Sequence, residues 1–328
     1  MDKEKMNIDN FLNTFLNNFY DSKKILFDNI NIFYELSIFL KSQTDFEIPK
    51  KLFNLHQISK STFYRNVELI DNFFKKKNID FNIDEVLKDG TIELIPTNYE
   101  RVMYGQNNYL GTHKSITVYN NGYITDTIVW IHEISHYRNQ TDEGRAEIND
   151  LLTESLAHTA SLIFIDYLEE EGFAYEANIS REDTLITFKI VASDTYYLTK
   201  ILLLYESLGD TSRESYKYYY GTDEDYDNVI NKFCLIANTN PVRIFGMLWY
   251  TLSGVLSIYM YNEYRKNNSF INNIERLNTH LLKETNLNEC LSTIGITGYN
   301  KENLEKIEEA YDNYKKLLRE PKYKTTKK

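Results

Sequence analysis

Between Trp130 and His136 the chain reads Trp-Ile-His-Glu-Ile-Ser-His, and this heptapeptide restricts the fold more than any other stretch. Two imidazoles four residues apart share one face of an α-helix, where both can reach a single zinc ion. The glutamate between them then stands beside that ion, placed to take a proton from water bound there. Ile128, Val129, Ile131 and Ile134 make the segment apolar, so the helix has to be buried with one edge left facing a cleft. Thr125 and Asp126 offer N-cap side chains, and Gly122 gives a break before them. The plain alternative is a helix that carries two incidental histidines and an incidental glutamate.

A catalytic zinc needs three protein ligands and an open position for water. Downstream of His136 the candidates are Asp142, Glu143, Glu147, Glu154 and His158. In the extended metzincin pattern the third ligand falls at Asp142, but Asn139 stands where that turn needs glycine. Glu154 is the preferred ligand. It follows His136 by eighteen residues and opens an amphipathic run through Leu168, as a second helix packed beside the first would. His158, one turn further along that face, reads as a partner of the ligands, as a substrate contact, or simply as a polar residue near the cleft.

Here the chain resembles a known family. The run from Glu154 through Ser155-Leu156-Ala157-His158 to Asp166-Tyr167-Leu168 is similar to the third-ligand helix of the thimet oligopeptidase and oligoendopeptidase F zinc peptidases, which are of the gluzincin type. Tyr109-Leu110-Gly111-Thr112-His113-Lys114-Ser115, leading through Val118-Tyr119-Asn120 to Asp126, resembles the family's strand-like substrate-binding segment. Trp249 to Tyr261 resembles its C-terminal core helix bearing Tyr and Gly. The resemblance spans roughly residues 60–265 and is strongest at 109–168 and 245–264.

What it implies is amide hydrolysis at one Zn²⁺ per chain, held by His132, His136 and Glu154, with Glu133 as general base. The substrate, a peptide or an unfolded protein, would lie along Gly111, Thr112 and His113 with His158 nearby. Tyr250 is the nearest match to a family tyrosine that stabilises the tetrahedral intermediate. The chain also departs from the family. Its spacing from His136 to Glu154 is shorter, Ser161 replaces a common acidic residue, and no histidine occurs between His158 and His280. The chain is shorter than a typical member, which implies a shallower cleft.

With only 12 glycines and 4 prolines among 328 residues, long helices are favoured over a turn-rich β fold. The expectation is a mainly α fold, a large helical metallopeptidase domain with a small β-sheet beside the His-Glu helix. Helical spacing appears over 7–42, Ser59–Lys77, 145–171, 183–207, 224–237, 241–266, 270–285 and 301–318, with a break at Glu47-Ile48-Pro49. Strand-like alternation covers 91–95 and 115–119, with turn signals at Asn107-Asn108 and Asn120-Asn121-Gly122. Residues 91–320 are expected to form the catalytic domain, 1–90 an N-terminal helical region walling the cleft, and 321–328 a disordered basic tail.

A formal charge of −11 argues against a nucleic-acid-binding surface over the whole molecule. One segment supplies a rival reading nonetheless. Ile58 to Ile70 resembles the recognition helix of a winged helix-turn-helix, with Ser61, Thr62 and Arg65 toward phosphates and Lys75-Lys76-Lys77 along the backbone. The chain would then be a DNA-binding regulator fused to a regulatory zinc peptidase. Ile244 to Tyr261 is uncharged and near membrane-spanning length, but Thr251, Ser253, Ser257 and three tyrosines suit a buried helix better, so no membrane partner is expected. Cys234 and Cys290 need not pair, and no apolar signal core follows Met1, so a cytoplasmic location is expected.

Overall fold

A computed structural model describes residues 7–20, 24–42, 58–88, 92–96, 105–110, 113–138, 147–238, 241–281, 286–296 and 301–319. Helix dominates. In chain order the helices are α1 (Ile8–Phe19), α2 (Lys24–Asp28), α3 (Ile30–Ser42), α4 (Phe63–Lys76), α5 (Ile83–Lys88), α6 (Asp126–Arg138), α7 (Glu147–Glu170) and α8 (Ala174–Leu208). They continue with α9 (Arg213–Tyr220), α10 (Tyr226–Ala237), α11 (Pro241–Lys266), α12 (Ile271–Leu281), α13 (Leu287–Ser292) and α14 (Lys301–Arg319). Between α5 and α6 lie three strands, β1 (Ile92–Pro96), β2 (Gly105–Leu110) and β3 (His113–Asn120). The mainly α expectation with one small sheet therefore holds.

The chain divides into two compact units: residues 1–47 with 186–255, and residues 48–185 with 256–328. In the first, α1 and α3 turn Leu12, Phe15, Phe33, Leu36 and Leu40 into the core. Phe15 stacks on Phe245 of α11 with ring centroids 5.4 Å apart. A buried Lys200 on α8 donates to Asp225 at 2.8 Å, and the Tyr216 hydroxyl donates to the same carboxylate at 2.7 Å. The helical spacing over 7–42 resolves into three helices, and α9 joins them unforeseen.

The second unit holds the sheet, in the order β1-β3-β2. Its central strand β3 runs parallel to β1 and antiparallel to β2. Ile116 and Val118 of β3 are fully buried while Ser115 and Thr117, which alternate with them, are not, the period-2 pattern of a strand with one covered face. Helix α6 packs against β3 and β2, and α7 packs against α6. Asn107 and Asn108, turn residues by composition, instead sit in β2 opposite Ile116 and Ser115.

Helix α6 is entered through a fixed turn. The Asp126 carboxylate accepts from the backbone N–H groups of Asn121, Gly122 and Tyr123 at 2.8, 2.9 and 3.1 Å, so it braces the preceding loop instead of capping its own helix. Gly122 has φ +84°, a left-handed conformation that glycine adopts without cost. Its carbonyl accepts from Ser61 N–H at 2.8 Å, and Ile124 N–H donates to the Ser59 carbonyl at 3.0 Å, which ties the segment ahead of α4 to the start of α6.

Helix α4 starts at Phe63, with Thr62 as N-cap accepting from Arg65 N–H. The cations expected to face DNA have partners: Arg65 with Glu68, Lys75 with Asp71, Lys76 with Glu170, and Lys77 with the Tyr264 hydroxyl. Lower in the unit, Arg181 of α8 is buried and bonds Asp166 and Glu169 of α7 at 2.5 and 2.6 Å. Asp166 also accepts from Tyr261 of α11 at 2.6 Å, and Tyr314 of α14 donates to the Arg181 carbonyl at 3.2 Å. Among the described residues one helix, Ile244–Lys266, is long and apolar enough to cross a membrane, and most of it is buried in the protein.

Candidate metal centre

Helices α6 and α7 each present two residues one turn apart, His132 and His136 on α6, Glu154 and His158 on α7. All four meet in the second unit. The Nε2 atoms of His132 and His136 lie 3.1 Å apart. Glu154 spans them, Oε2 at 3.3 Å from His132 Nε2 and Oε1 at 3.3 Å from His136 Nε2. His158 Nε2 is 3.9 Å from Glu154 Oε2, and its ring centroid is 4.7 Å from that of His132. Candidate ligand atoms of His132, Glu154 and His158 fall within 4.8 Å of one another.

These spacings suit one cation. A tetrahedral zinc site with bonds of about 2.0–2.2 Å has ligand–ligand edges of about 3.3–3.6 Å; His132 Nε2 and His136 Nε2 are 3.1 Å apart, and each lies 3.3 Å from a different oxygen of Glu154. Glu154 Oε2 is shut off from solvent and meets no donor in hydrogen-bonding alignment, despite the nearby ring nitrogens. A buried carboxylate oxygen left so is costly unless a cation takes it. The donor set, imidazole with carboxylate, is one that zinc binds.

Electrostatics within the cluster follow from burial and proximity. Burial works against the Glu154 anion, but the rings of His136 and His132 outweigh it and hold its pKa well below the ordinary carboxylate range. Burial likewise works against an imidazolium at His132, and the Glu154 carboxylate, with Glu133 adding, overrides it and raises that pKa. His158 is pushed down to about 3 by burial and by His132, so at neutral pH it is a neutral imidazole. Glu133 is 7% exposed, and burial raises its pKa against the pull of His132 and His136. A carboxylate pushed upward is a better proton acceptor than an exposed one.

The remaining expected site residues are placed less completely. Gly111 and Thr112 lie outside the described residues. His113 opens β3, paired with Leu110 of β2. Within the described sheet β2 is an edge strand and β3 is paired on both sides. Tyr250 is half-buried on α11 in the first unit. Ser161 sits at the α6–α7 contact, its hydroxyl donating to the Ile128 carbonyl at 3.5 Å, a place where a small side chain lets the two helices approach. In the sequence His158 reads as a partner of the ligands, as a substrate contact, or simply as a polar residue near the cleft. The signal for a donor was there, since Glu154 and His158 repeat on α7 the four-residue spacing of His132 and His136.

An apolar pocket also opens between α4, α6, α7 and α12, lined by Phe73, Phe74, Ile131, Leu156, Ile163 and Ile274 among others. None of the four donors, nor Glu133, lines it. The chemistry belongs to the polar cluster, because the pocket gathers no comparable set of ligating or basic groups.

No protein-family profile matches the chain, and no curated protein sequence matches it. Two crystal structures align with it. One is described as "a putative oligoendopeptidase F from Bacillus anthracis str. Ames", 13% identical, with a TM-score of 0.49, covering 94% of this chain and 56% of that one. The other, a "putative peptidase from Chlamydophila abortus", is 14% identical, with a TM-score of 0.47, covering 93% and 55%. The chain spans little more than half the length of the structures it matches.

Proposed function

We propose that the protein is a zinc-dependent endopeptidase or oligopeptidase that hydrolyses internal bonds of peptides or unfolded segments. The observation that carries this reading is the triangle of His132 Nε2, His136 Nε2 and the Glu154 carboxylate, with Glu133 on the same helix turn as the two histidines. His132, His136 and Glu154 would hold the ion. Zinc bound there supplies a Lewis acid and a water with its pKa lowered towards ~7. Glu133 accepts the proton of the attacking water and returns it to the departing amine. Residues 109–115 would align the peptide backbone by strand addition, for which β2 offers the edge. His158 is assigned a place beside the substrate.

Residues 91–320 carry every assigned group and are taken as the catalytic domain, with 58–88 bracing α6 as part of its wall. Neither Cys234 nor Cys290 is in a disulfide, which fits the cytoplasmic location assigned here. The test pairs elemental analysis with cleavage of a quenched-peptide library by the wild type and Glu133→Gln. The variant is expected to keep one zinc per chain and to lose roughly 10²–10⁴-fold in rate. Undiminished hydrolysis would exclude Glu133 as the base, and a wild type without metal would exclude the whole reading.

A further inference from the structure

A catalytic zinc centre keeps one position open, whereas a centre with four protein donors is closed. The four-residue spacing on α7 sets His158 on the same face as Glu154, and its Nε2 lies 3.9 Å from the Glu154 Oε2 that also faces His132. Its ring is as close to His132 as His136 is, with centroids 4.7 and 4.8 Å apart. The imidazole is part-buried against these groups. A histidine serving only as a substrate contact would point away from the gap between the ligands, yet candidate ligand atoms of His132, Glu154 and His158 converge within 4.8 Å.

We infer that His158 is a fourth protein donor to the ion held by His132, His136 and Glu154, closing the centre at rest. The inference rests on the proposed metal site and deepens it. His158 Nε2 stands 3.9 Å from the Glu154 carboxylate where His132 and His136 stand 3.3 Å from it, so His158 is the most loosely set of the four and the one assigned as the group a substrate would displace. The resting protein is then a latent peptidase, its open position covered by its own side chain.

The test uses the full chain loaded with Co²⁺, as wild type, His158→Phe, His158→Cys and His132→Ala. Competition against a chromophoric chelator should show His158→Phe binding at least roughly 10-fold more weakly, the lower range for loss of a group supporting a metal site, with His158→Cys recovering affinity. The deciding readout is optical. Co²⁺-loaded His158→Cys should show a thiolate-to-cobalt charge-transfer band that the wild type lacks, although Cys234 and Cys290 are present in both. Absence of that band overturns the inference whatever the phenylalanine variant does, including a failure to fold. The two failures are distinguishable. If wild-type binding is lost in His132→Ala but indifferent to residue 158, only the fourth donor falls. If the wild type binds no Co²⁺, or binds it equally in His132→Ala, the proposed function falls with it.

Discussion

At the scale of single residues the centre depends on Glu154 more than on either histidine. Its carboxylate is the group that both α6 imidazoles face, and its Oε2 has no aligned donor. Glu154→Gln keeps the shape of the side chain but replaces an anion by a neutral amide. It is therefore expected to fold and to lose metal affinity by roughly 100-fold or more, the upper range for weakened support of a metal centre being the floor for a lost ligand. Circular dichroism with elemental analysis checks both halves. A variant that retains stoichiometric zinc would remove Glu154 from the ligand set. His132, Glu133 and His136 stand out in the sequence as candidates because their relation is local, a spacing along one helix, whereas Glu154 lies on α7 and had to be chosen among several downstream acids. The role of His158 was less legible, because a histidine one turn beyond a carboxylate has the same pattern whether or not its ring turns into the gap.

At the scale of elements the helices are held as much by close approach as by apolar periodicity. Gly254 on α11 faces Phe188 of α8, where an added Cβ would stand 2.6 and 2.7 Å from ring atoms of a side chain only 1% exposed. On a free helix Gly→Ala stabilises by about 1 kcal/mol. Here overpacking of roughly 1–3 kcal/mol opposes that gain, so Gly254→Ala is expected to be destabilising by about 1 kcal/mol. Combining it with Phe188→Leu should cost less than the sum of the two changes, since the sites touch. Urea midpoints at unchanged slope measure this, and a stabilised Gly254→Ala would show that α8 and α11 do not meet so closely. The same kind of packing explains what the sequence concealed. Helix α8 begins nine residues before its apolar pattern does, because Arg181 is buried through ion pairs with Asp166 and Glu169, which no hydrophobic period reveals. Asn107 and Asn108 form strand through ladder pairing with β3, a non-local constraint that overrides their turn preference.

At the scale of the whole molecule the candidate centre lies wholly within one of the two compact units, since α6 and α7 both belong to residues 48–185. The helical class followed from the scarcity of glycine and proline, and most helix positions from the apolar spacing along the chain. The division into units did not, because each unit joins stretches distant in sequence and takes part of α8 and of α11. Placing a metal in one unit makes stability a probe of the site that needs no substrate. A ligand that binds only the folded state adds about 2.7 kcal/mol at a concentration 100 times its Kd, and for a unit of 150–250 residues each kcal/mol moves Tm by about 2–4 °C. Stripping the protein with a chelator should therefore lower the melting of the unit carrying the cluster by about 5–10 °C, and added Zn²⁺ should restore it. Glu133→Gln should show the same shift, because Glu133 is assigned as a base and not as a ligand. Glu154→Gln should show little, because the ion then has no anion to hold it. Calorimetry of the three proteins with and without metal separates the roles, and an equal shift in all three would place the metal elsewhere than between α6 and α7.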